Sequence, residues 1–428
     1  MQSVAGASPQ SKPLIPRDMA VRARNLLVAA HALQHVISTS LPPLLIFIRQ
    51  DLGLSGVELG FIVAAANVSS SLFQYPAGLL TDNFGPKRVL LVGYCLTLSG
   101  IFLLSRAGAM PAFIVAQMVY GMGNATFHPA SFADVGRAME GRGVGMGMAM
   151  HNIGGNVGTA AGYSISALLA TALGWRNALL TLAVGGVILV IMFAIYYPDL
   201  WHFMGEIKAK KMRQREVDGE EEEEIDVPAD PLTWRDWIPA YVVAVAAVLS
   251  GIFGTGIMAW LPTFFESTRG VSATVAAGFS SIMMISGVGG SFTGGTLADR
   301  LDRPTIIFFS TLAASVLLML IITVPVSSSI LIVLLVGMGF LHSTARPVLN
   351  AITNQVSPPG KSGSVFGLVF GMMALGGVIS GPMVGYLYDR YSMEVAFTAL
   401  VVFFVLHAFL IRAWGSERLA RREAWGAE

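Results

Sequence analysis

Apolar runs of about twenty residues or more recur from residue 19 to residue 414, separated by short polar or glycine-rich connections. That length crosses the hydrocarbon core of a bilayer as an α-helix, so the pattern predicts an all-α membrane protein. Twelve transmembrane helices can be placed, at 19–48, 56–80, 86–106, 110–136, 142–171, 175–197, 236–266, 271–298, 303–323, 327–356, 361–388 and 393–414. One stretch, 198–235, breaks the pattern. It carries Lys208, Lys210, Lys211, Arg213 and Arg215, then the acidic run Glu220 to Glu224, and cannot enter lipid. The expected organisation is a tail (1–18), a six-helix bundle (19–197), a solvated linker (198–235), a second six-helix bundle (236–414) and a C-terminal tail (415–428).

The two bundles repeat each other. "TSLPPLLIF" (39–47) aligns with "AWLPTFFES" (259–267), "GLLTDNFGPKR" (78–88) with "GTLADRLDRP" (295–304), and "YGMG" (120–123) with "VGMG" (336–339). Gly154, Gly158 and Gly162 align with Gly377, Gly381 and Gly385. Order is kept and the offset drifts by only a few residues, which predicts two pseudo-symmetric halves around a central cavity. Small residues four apart let helices approach closely, and the expected partners are helix 5 with helix 8 and helix 11 with helix 2.

Charge orients the chain. With the N-terminus inside, only Arg49, Arg106, Arg176, Arg269 and Arg390 of the 27 lysines and arginines fall in outer connections. Arg346 lies within a span, and all the others fall on the inner side. Both termini and the linker are therefore expected to be cytoplasmic, in a multi-pass protein of the inner membrane. Residues 1–18 are polar, hold Pro9, Pro13 and Pro16, and do not resemble a cleavable signal.

Composition narrows the function. The chain is 54% hydrophobic and 12% charged, half the charge of an average soluble domain. A single cysteine, Cys95, excludes a disulfide framework and a cysteine-based zinc site. No basic patch interleaved with aromatics suggests nucleic acid. No GxxxxGK[ST] occurs, so ATP is not the expected energy source. The expectation is no enzyme, no cofactor and no metal, with the bilayer itself and a small ligand as partners, and a monomeric chain.

"GLLTDNFGPKR" between spans two and three resembles the signature loop of the major facilitator superfamily. The matching residues are Gly78, Asp82, Gly85, Lys87 and Arg88, and a degraded copy stands at Gly295, Asp299, Arg300 and Arg303. The resemblance implies alternating access about a central site. It also implies that Asp82, Gly85, Arg88 and Asp299 belong to the conformational gate, with Asp82 pairing to helix 11 when the cavity faces outward. "FHPASFADVGRAMEGRGVGMGMAMHNIGGNVGTAAG" (127–162) further resembles the fosmidomycin-resistance branch. That branch tends to show a histidine and then an aspartate four residues on in helix 1. Here the pair is His31 and His35, and Gly162-Tyr163 replaces an expected Gly-Pro.

Polar residues inside the spans are the candidate ligand groups, because uncompensated polarity there is costly. In helix 1, His31, Gln34, His35, Ser38 and Thr39 share one face; in helix 4, Gln117, Asn124, His128 and Ser131 do; in helix 10, His342, Arg346 and Asn350 do. Pro129 removes a backbone donor beside His128. Arg346 is about twenty residues into its span, where a bare arginine costs at least ~2.5–3.5 kcal/mol. No carboxylate lies deep in any span, since Asp82, Asp134, Glu266, Asp299 and Asp389 all stand near helix ends. The expected substrate-binding set is Arg346, His31, Gln34, His35, Asn124, His128, His342 and Asn350, with His35 and His128 as proton-coupling candidates. Each also has a plainer reading: Arg346 can snorkel, and the histidines, His151 above all, can serve helix packing.

Three functions fit these residues: a secondary transporter of a small organic anion, with protons as the coupling partner; a drug-efflux transporter; or a receptor or assembly factor that kept the fold and lost transport. A missing deep carboxylate disfavours cationic cargo. The topology has a direct check. Cysteines introduced at Glu222 and Ser328 are expected to label from opposite sides of the membrane, and labelling from the same side overturns the twelve-span reading.

Overall fold

The computed structural model describes residues 15–139, 144–207, 233–298, 300–358 and 362–423. Every regular element among the described residues is helical. The first half comprises α1 (Arg17–Ser38), α2 (Leu41–Leu52), α3 (Gly56–Phe84), α4 (Pro86–Arg106), α5 (Met110–Met139), α6 (Val144–Leu173) and α7 (Trp175–Tyr196). A short helix, α8 (200–207), follows. The second half comprises α9 (Ile238–Arg269), preceded by a 3-10 turn at Trp234–Trp237, then α10 (Ala273–Ala298), α11 (Arg303–Thr323), α12 (Ser328–Gln355), α13 (Ser362–Arg390) and α14 (Met393–Glu423). With α1 and α2 counted as one broken helix, this is a twelve-helix membrane fold. Among the described residues ten helices are long and apolar enough to cross a bilayer by length and composition; α5 and α6, 30 residues each, carry polar residues of the site.

The first span is divided where the sequence predicted one run. Pro42 and Pro43 cannot donate to the carbonyls of Ser38 and Thr39, so the helical ladder stops there. The hydroxyls of Ser38, Thr39 and Ser40 turn back onto the carbonyls of His35, His35 and Ile37 at 3.2, 2.6 and 2.8 Å. Other ends are capped locally. Ser55 and Glu58 form a reciprocal capping box at the start of α3, and Gly53 ends α2 in the left-handed conformation.

Packing repeats between the halves. α1 lies on α6, α3 on α5, α4 on α5 and α4 on α7; the equivalents α9 on α13, α10 on α12, α11 on α12 and α11 on α14 recur in the second half. Across the halves α3 meets α13 and α6 meets α10. α7 shows why the solvent must be lipid: Val184, Ile188, Ile191 and Ile195 are all more than half exposed on its outer face.

The glycine triplets separate in their roles. Gly381 and Gly385 pack backbone to backbone on Gly60 and Gly56 of α3, as expected for helices 11 and 2. Gly154, Gly158 and Gly162 do not face α10. They lie against Val28, Ala32 and Val36 of α1, so the expectation that these glycines make the contact of helix 5 with helix 8 is corrected, although the two helices do meet. The α6–α10 contact is polar instead: Ser164 Oγ to Ser281 Oγ at 2.8 Å, Ser281 Oγ to the Ala160 carbonyl at 2.7 Å, and Thr171 Oγ1 to Thr274 Oγ1 at 3.1 Å.

These contacts between halves crowd toward the end away from the linker. There Asp389 of α13 accepts from the backbone N–H groups of Gly56 and Val57 at 2.8 and 2.9 Å, capping α3 across the molecule. Arg49 donates to Tyr388 Oη and lies over its ring, and Tyr163 Oη donates to the Met258 carbonyl. At the linker end Asp82 and Arg88 are exposed, and neither has an ion pair or hydrogen bond among the described residues. Asp299 lies outside the described residues. Among the described residues the halves are thus clasped at one end and unclasped at the other.

Gly85 has φ +83°, a conformation open to glycine, and the Trp201 ring of α8 lies 3.1 Å from where a Cβ would stand. Leu200 is buried, and Lys87 Nζ donates to the Tyr197 carbonyl at 2.6 Å. The first part of the expected solvated linker is therefore a helix seated on the first half. Removing the α3 cap should loosen the clasped end by about 1 kcal/mol or more. Cysteines replacing Thr171 and Thr274 should cross-link readily, and adding Asp389→Ala should slow that cross-linking about fivefold or more. An unchanged rate removes Asp389 from the clasp.

Candidate functional site

The packing of α1, α5 and α6 brings four imidazoles into contact. His31 stacks on His151 with ring centroids 4.0 Å apart, and lies 4.7 Å from His35 and 5.5 Å from His128. His35 and His128 are 5.9 Å apart. His31 and His151 are buried, while His35 and His128 are half-buried and form the open side of the cluster. The approach depends on Gly155, where a Cβ would stand 2.7 Å from the His31 ring. Phe127 and Phe132 complete the wall at 5.2 and 6.5 Å from His31.

Hydrogen bonds fix the tautomers. His31 Nδ1 meets the His151 carbonyl at 2.7 Å, and a carbonyl only accepts, so Nδ1 carries the proton. His35 Nδ1 meets Thr159 Oγ1 at 2.8 Å; that hydroxyl donates its own proton to the Gly155 carbonyl at 2.9 Å, so His35 Nδ1 is also the donor. His151 Nε2 meets Ser131 Oγ at 3.2 Å. The Nε2 atoms of His31 and His35 are left as lone-pair acceptors. His31 Nε2, His128 Nδ1 and His151 Nδ1 are buried with no partner among the described residues. Beside the cluster, Gln34 Nε2 donates to Asn124 Oδ1 at 2.8 Å, tying α1 to α5.

The second half contributes one cation. Arg346 of α12 is solvent-exposed and has no ion pair or hydrogen bond among the described residues. It points toward the other half, within electrostatic reach of His35 and His128 as well as of His342 on its own helix. His342 sits between Phe253 and Phe404, 5.4 and 5.5 Å away, with Nδ1 buried and unpartnered. Asn350, one turn further, is exposed. The structure thus brings His31, Gln34, His35, Asn124, His128 and Arg346 to one place, with His342 beside Arg346. Among the described residues no carboxylate joins them. Asp134, the nearest such group in α5, is buried near the helix end and accepts from Tyr197 Oη at 2.5 Å.

Sequence reading missed two contributors. Thr159 and the His151 carbonyl set the tautomers of His35 and His31. The signal was there: His151, Gly155 and Thr159 are four apart and share the face of α6 that meets α1.

The sequence profile of the Major Facilitator Superfamily matches residues 27–380 and, overlapping, 281–424. The chain belongs to the Major Facilitator Superfamily. Among its curated relatives in the superfamily, it is 25% identical over 378 residues to the fosmidomycin resistance protein of Escherichia coli K12, covering 87% of this chain and 88% of that one. It is 24% identical over 358 residues to a probable sulfoacetate transporter of Cupriavidus necator, covering 80% and 81%. Among solved superfamily structures, a bacterial homologue of the human lysosomal transporter Spinster, in an inward-facing and unoccupied conformation, superposes with a TM-score of 0.71 at 13% identity over 94% of this chain and 97% of that one.

The Gly155 contact predicts a stability effect. Gly155→Ala should force the His31 ring away at a cost of about 1–3 kcal/mol, lowering the melting temperature by a few degrees. Gly278→Ala, where a Cβ meets nothing within 4 Å, is the control and should lower it little or not at all. Equal shifts in the two variants would contradict the packing described.

Proposed function

We propose that this superfamily member is a secondary transporter of a small organic anion, whose charged group is held by Arg346. The observation that carries the reading is an arginine deep in a membrane span, facing the other half, with no carboxylate near it. A cation at that depth of the membrane needs a counter-charge, and a ligand that supplies it is recognised by the same force that makes the empty site costly. The guanidinium offers a planar, two-pronged grip suited to carboxylate, sulfonate or phosphonate. Gln34, Asn124, His128 and His342 supply hydrogen-bonding groups around it, and Asn350 lines the approach. The sulfoacetate relative supports an anionic cargo, and the fosmidomycin-resistance relative keeps drug efflux as the second reading.

Alternating access follows from the clasp. With the linker and both termini on the cytoplasmic side, as the lysine and arginine distribution suggests, the open end faces the cytoplasm. Asp82, Gly85, Arg88 and Asp299 then form the contact that must close there when the Asp389 clasp releases. The five regions drawn from the sequence serve this motion, two bundles rocking about a tethering linker. His35 and His128, half-buried on the open side of the cluster, are the groups proposed to carry a coupling proton, the Nδ1–H bond of His35 to Thr159 leaving its Nε2 lone pair free.

The test is exchange of labelled sulfoacetate and of simple carboxylates in proteoliposomes. Arg346→Ala should weaken binding at least about 30-fold, the cost of about 2 kcal/mol for stranding one partner of a charge pair. Arg346→Lys should keep the charge, lose the fork and bind about tenfold more weakly than the parent. An Arg346→Ala protein that exchanges these anions like the parent refutes the reading.

A further inference from the structure

The histidine cluster has a property that anion binding does not use. His31, His35 and His128 each offer one ring nitrogen, and these three atoms all lie within 4.8 Å of one another. Two of the three rings are held as Nδ1–H tautomers by acceptors that cannot donate back, the His151 carbonyl and the Thr159 hydroxyl. Their Nε2 lone pairs are available without loss of a proton. The same outer bond to a carbonyl or hydroxyl is what orients imidazole toward a metal in known sites. His31 Nε2 and His128 Nδ1 are buried with no partner among the described residues, and His31 is only 3% exposed. Buried polar atoms normally find one.

We propose that His31, His35 and His128 form a binding site for a single first-row divalent transition-metal ion, Zn²⁺ being the type case. Imidazole nitrogens suit zinc, copper, nickel or iron, whereas magnesium and calcium require oxygen ligands that the cluster does not present. Around a tetrahedral zinc with bonds of about 2.0–2.1 Å, ligand nitrogens stand about 3.4 Å apart. Reaching that from the present spacing takes inward shifts of about an ångström or less, small for side chains on two packed helices, His31 and His35 on α1 and His128 on α5. His31 forms the buried base of the tripod, and the half-buried His35 and His128 form its open rim. A fourth position therefore faces the cavity, free for water or an anionic oxygen.

The neighbouring groups set the affinity. Among the described residues Arg346 is the one cation facing the cluster, and no carboxylate does, so the ion enters a positive field. His151 is stacked on His31 but spends Nε2 on Ser131, and acts as a positioning residue through its carbonyl. Affinity on the order of micromolar is expected, well short of a closed structural site. The ion would supply a second positive charge beside Arg346. The proposal does not depend on which anion is carried, or on transport at all.

The test uses full-length protein without a polyhistidine tag, in detergent and without substrate, titrated with Zn²⁺ by calorimetry and with Co²⁺ by absorption. One equivalent of Zn²⁺ per chain and tetrahedral Co²⁺ bands are expected. His128→Ala should weaken binding at least tenfold. His128→Cys should restore it and add a sulfur-to-cobalt charge-transfer band, which a merely structural role for the ring would not produce. His407→Gln, in a buried histidine bonded to the Ala246 carbonyl away from the cluster, should bind as the parent does. Removing the exposed His202, which pairs with Glu206 at 3.4 Å, eliminates a competing surface site. No stoichiometric Zn²⁺, or binding undiminished in a His31→Ala/His35→Ala/His128→Ala protein, overturns the proposal. Neither result bears on anion exchange, so failure here is distinct from failure of the transport reading.

Discussion

A permanent cation in the middle of a membrane protein with no carboxylate beside it is the constraint from which the rest follows. Arg346 cannot discharge, because a guanidinium keeps its proton. It cannot be left in lipid, because even the lowest estimates of the cost are several times RT. α12 solves this by presenting it to the other half, where α1 and α5 offer neutral polar groups but no negative charge. Neutral partners solvate a cation without cancelling it. The site is left with an electrostatic demand that a mobile anion can meet and release, whereas a built-in aspartate would have satisfied it permanently.

The helices around the site are fitted for movement at one end and for rigidity inside each half. Within the first half, glycines of α6 bring α1 within backbone contact, and the Gln34–Asn124 bond ties α1 to α5. Between the halves, the joints are a carboxylate on two backbone donors, a few hydroxyl pairs and glycine-on-glycine contacts. Such joints are individually weak and mutually dependent, so they can be made or lost together. A two-state clasp of this kind is what alternating access needs.

Much of this was legible in the sequence, for identifiable reasons. Membrane spans announce themselves because backbone polarity forces every crossing to be a helix and lipid forces it to be apolar. Faces such as His31, Gln34 and His35 are read from helical periodicity, which is local. Partnership is not local. Nothing in residues 154–162 says whether their glycines meet α1 or α10, and the expected choice was the wrong one. Asp389 looked like a charge ending a helix, and only the fold shows it capping α3. The spacing of His151, Gly155 and Thr159 put them on one face of α6, but only the laying of α6 on α1 shows Thr159 and the His151 carbonyl setting the tautomers.

The central claim is that charge, more than shape, selects the ligand. The most direct measurement is the melting temperature of the purified protein against matched pairs of compounds, each carboxylate or sulfonate beside its uncharged amide of similar size. A ligand that binds the folded state raises stability with the logarithm of its concentration over its dissociation constant. The account predicts stabilisation by anions that is absent from their amides and weakens as salt is added. Equal stabilisation by the neutral partners, or stabilisation by cations alone, would contradict it.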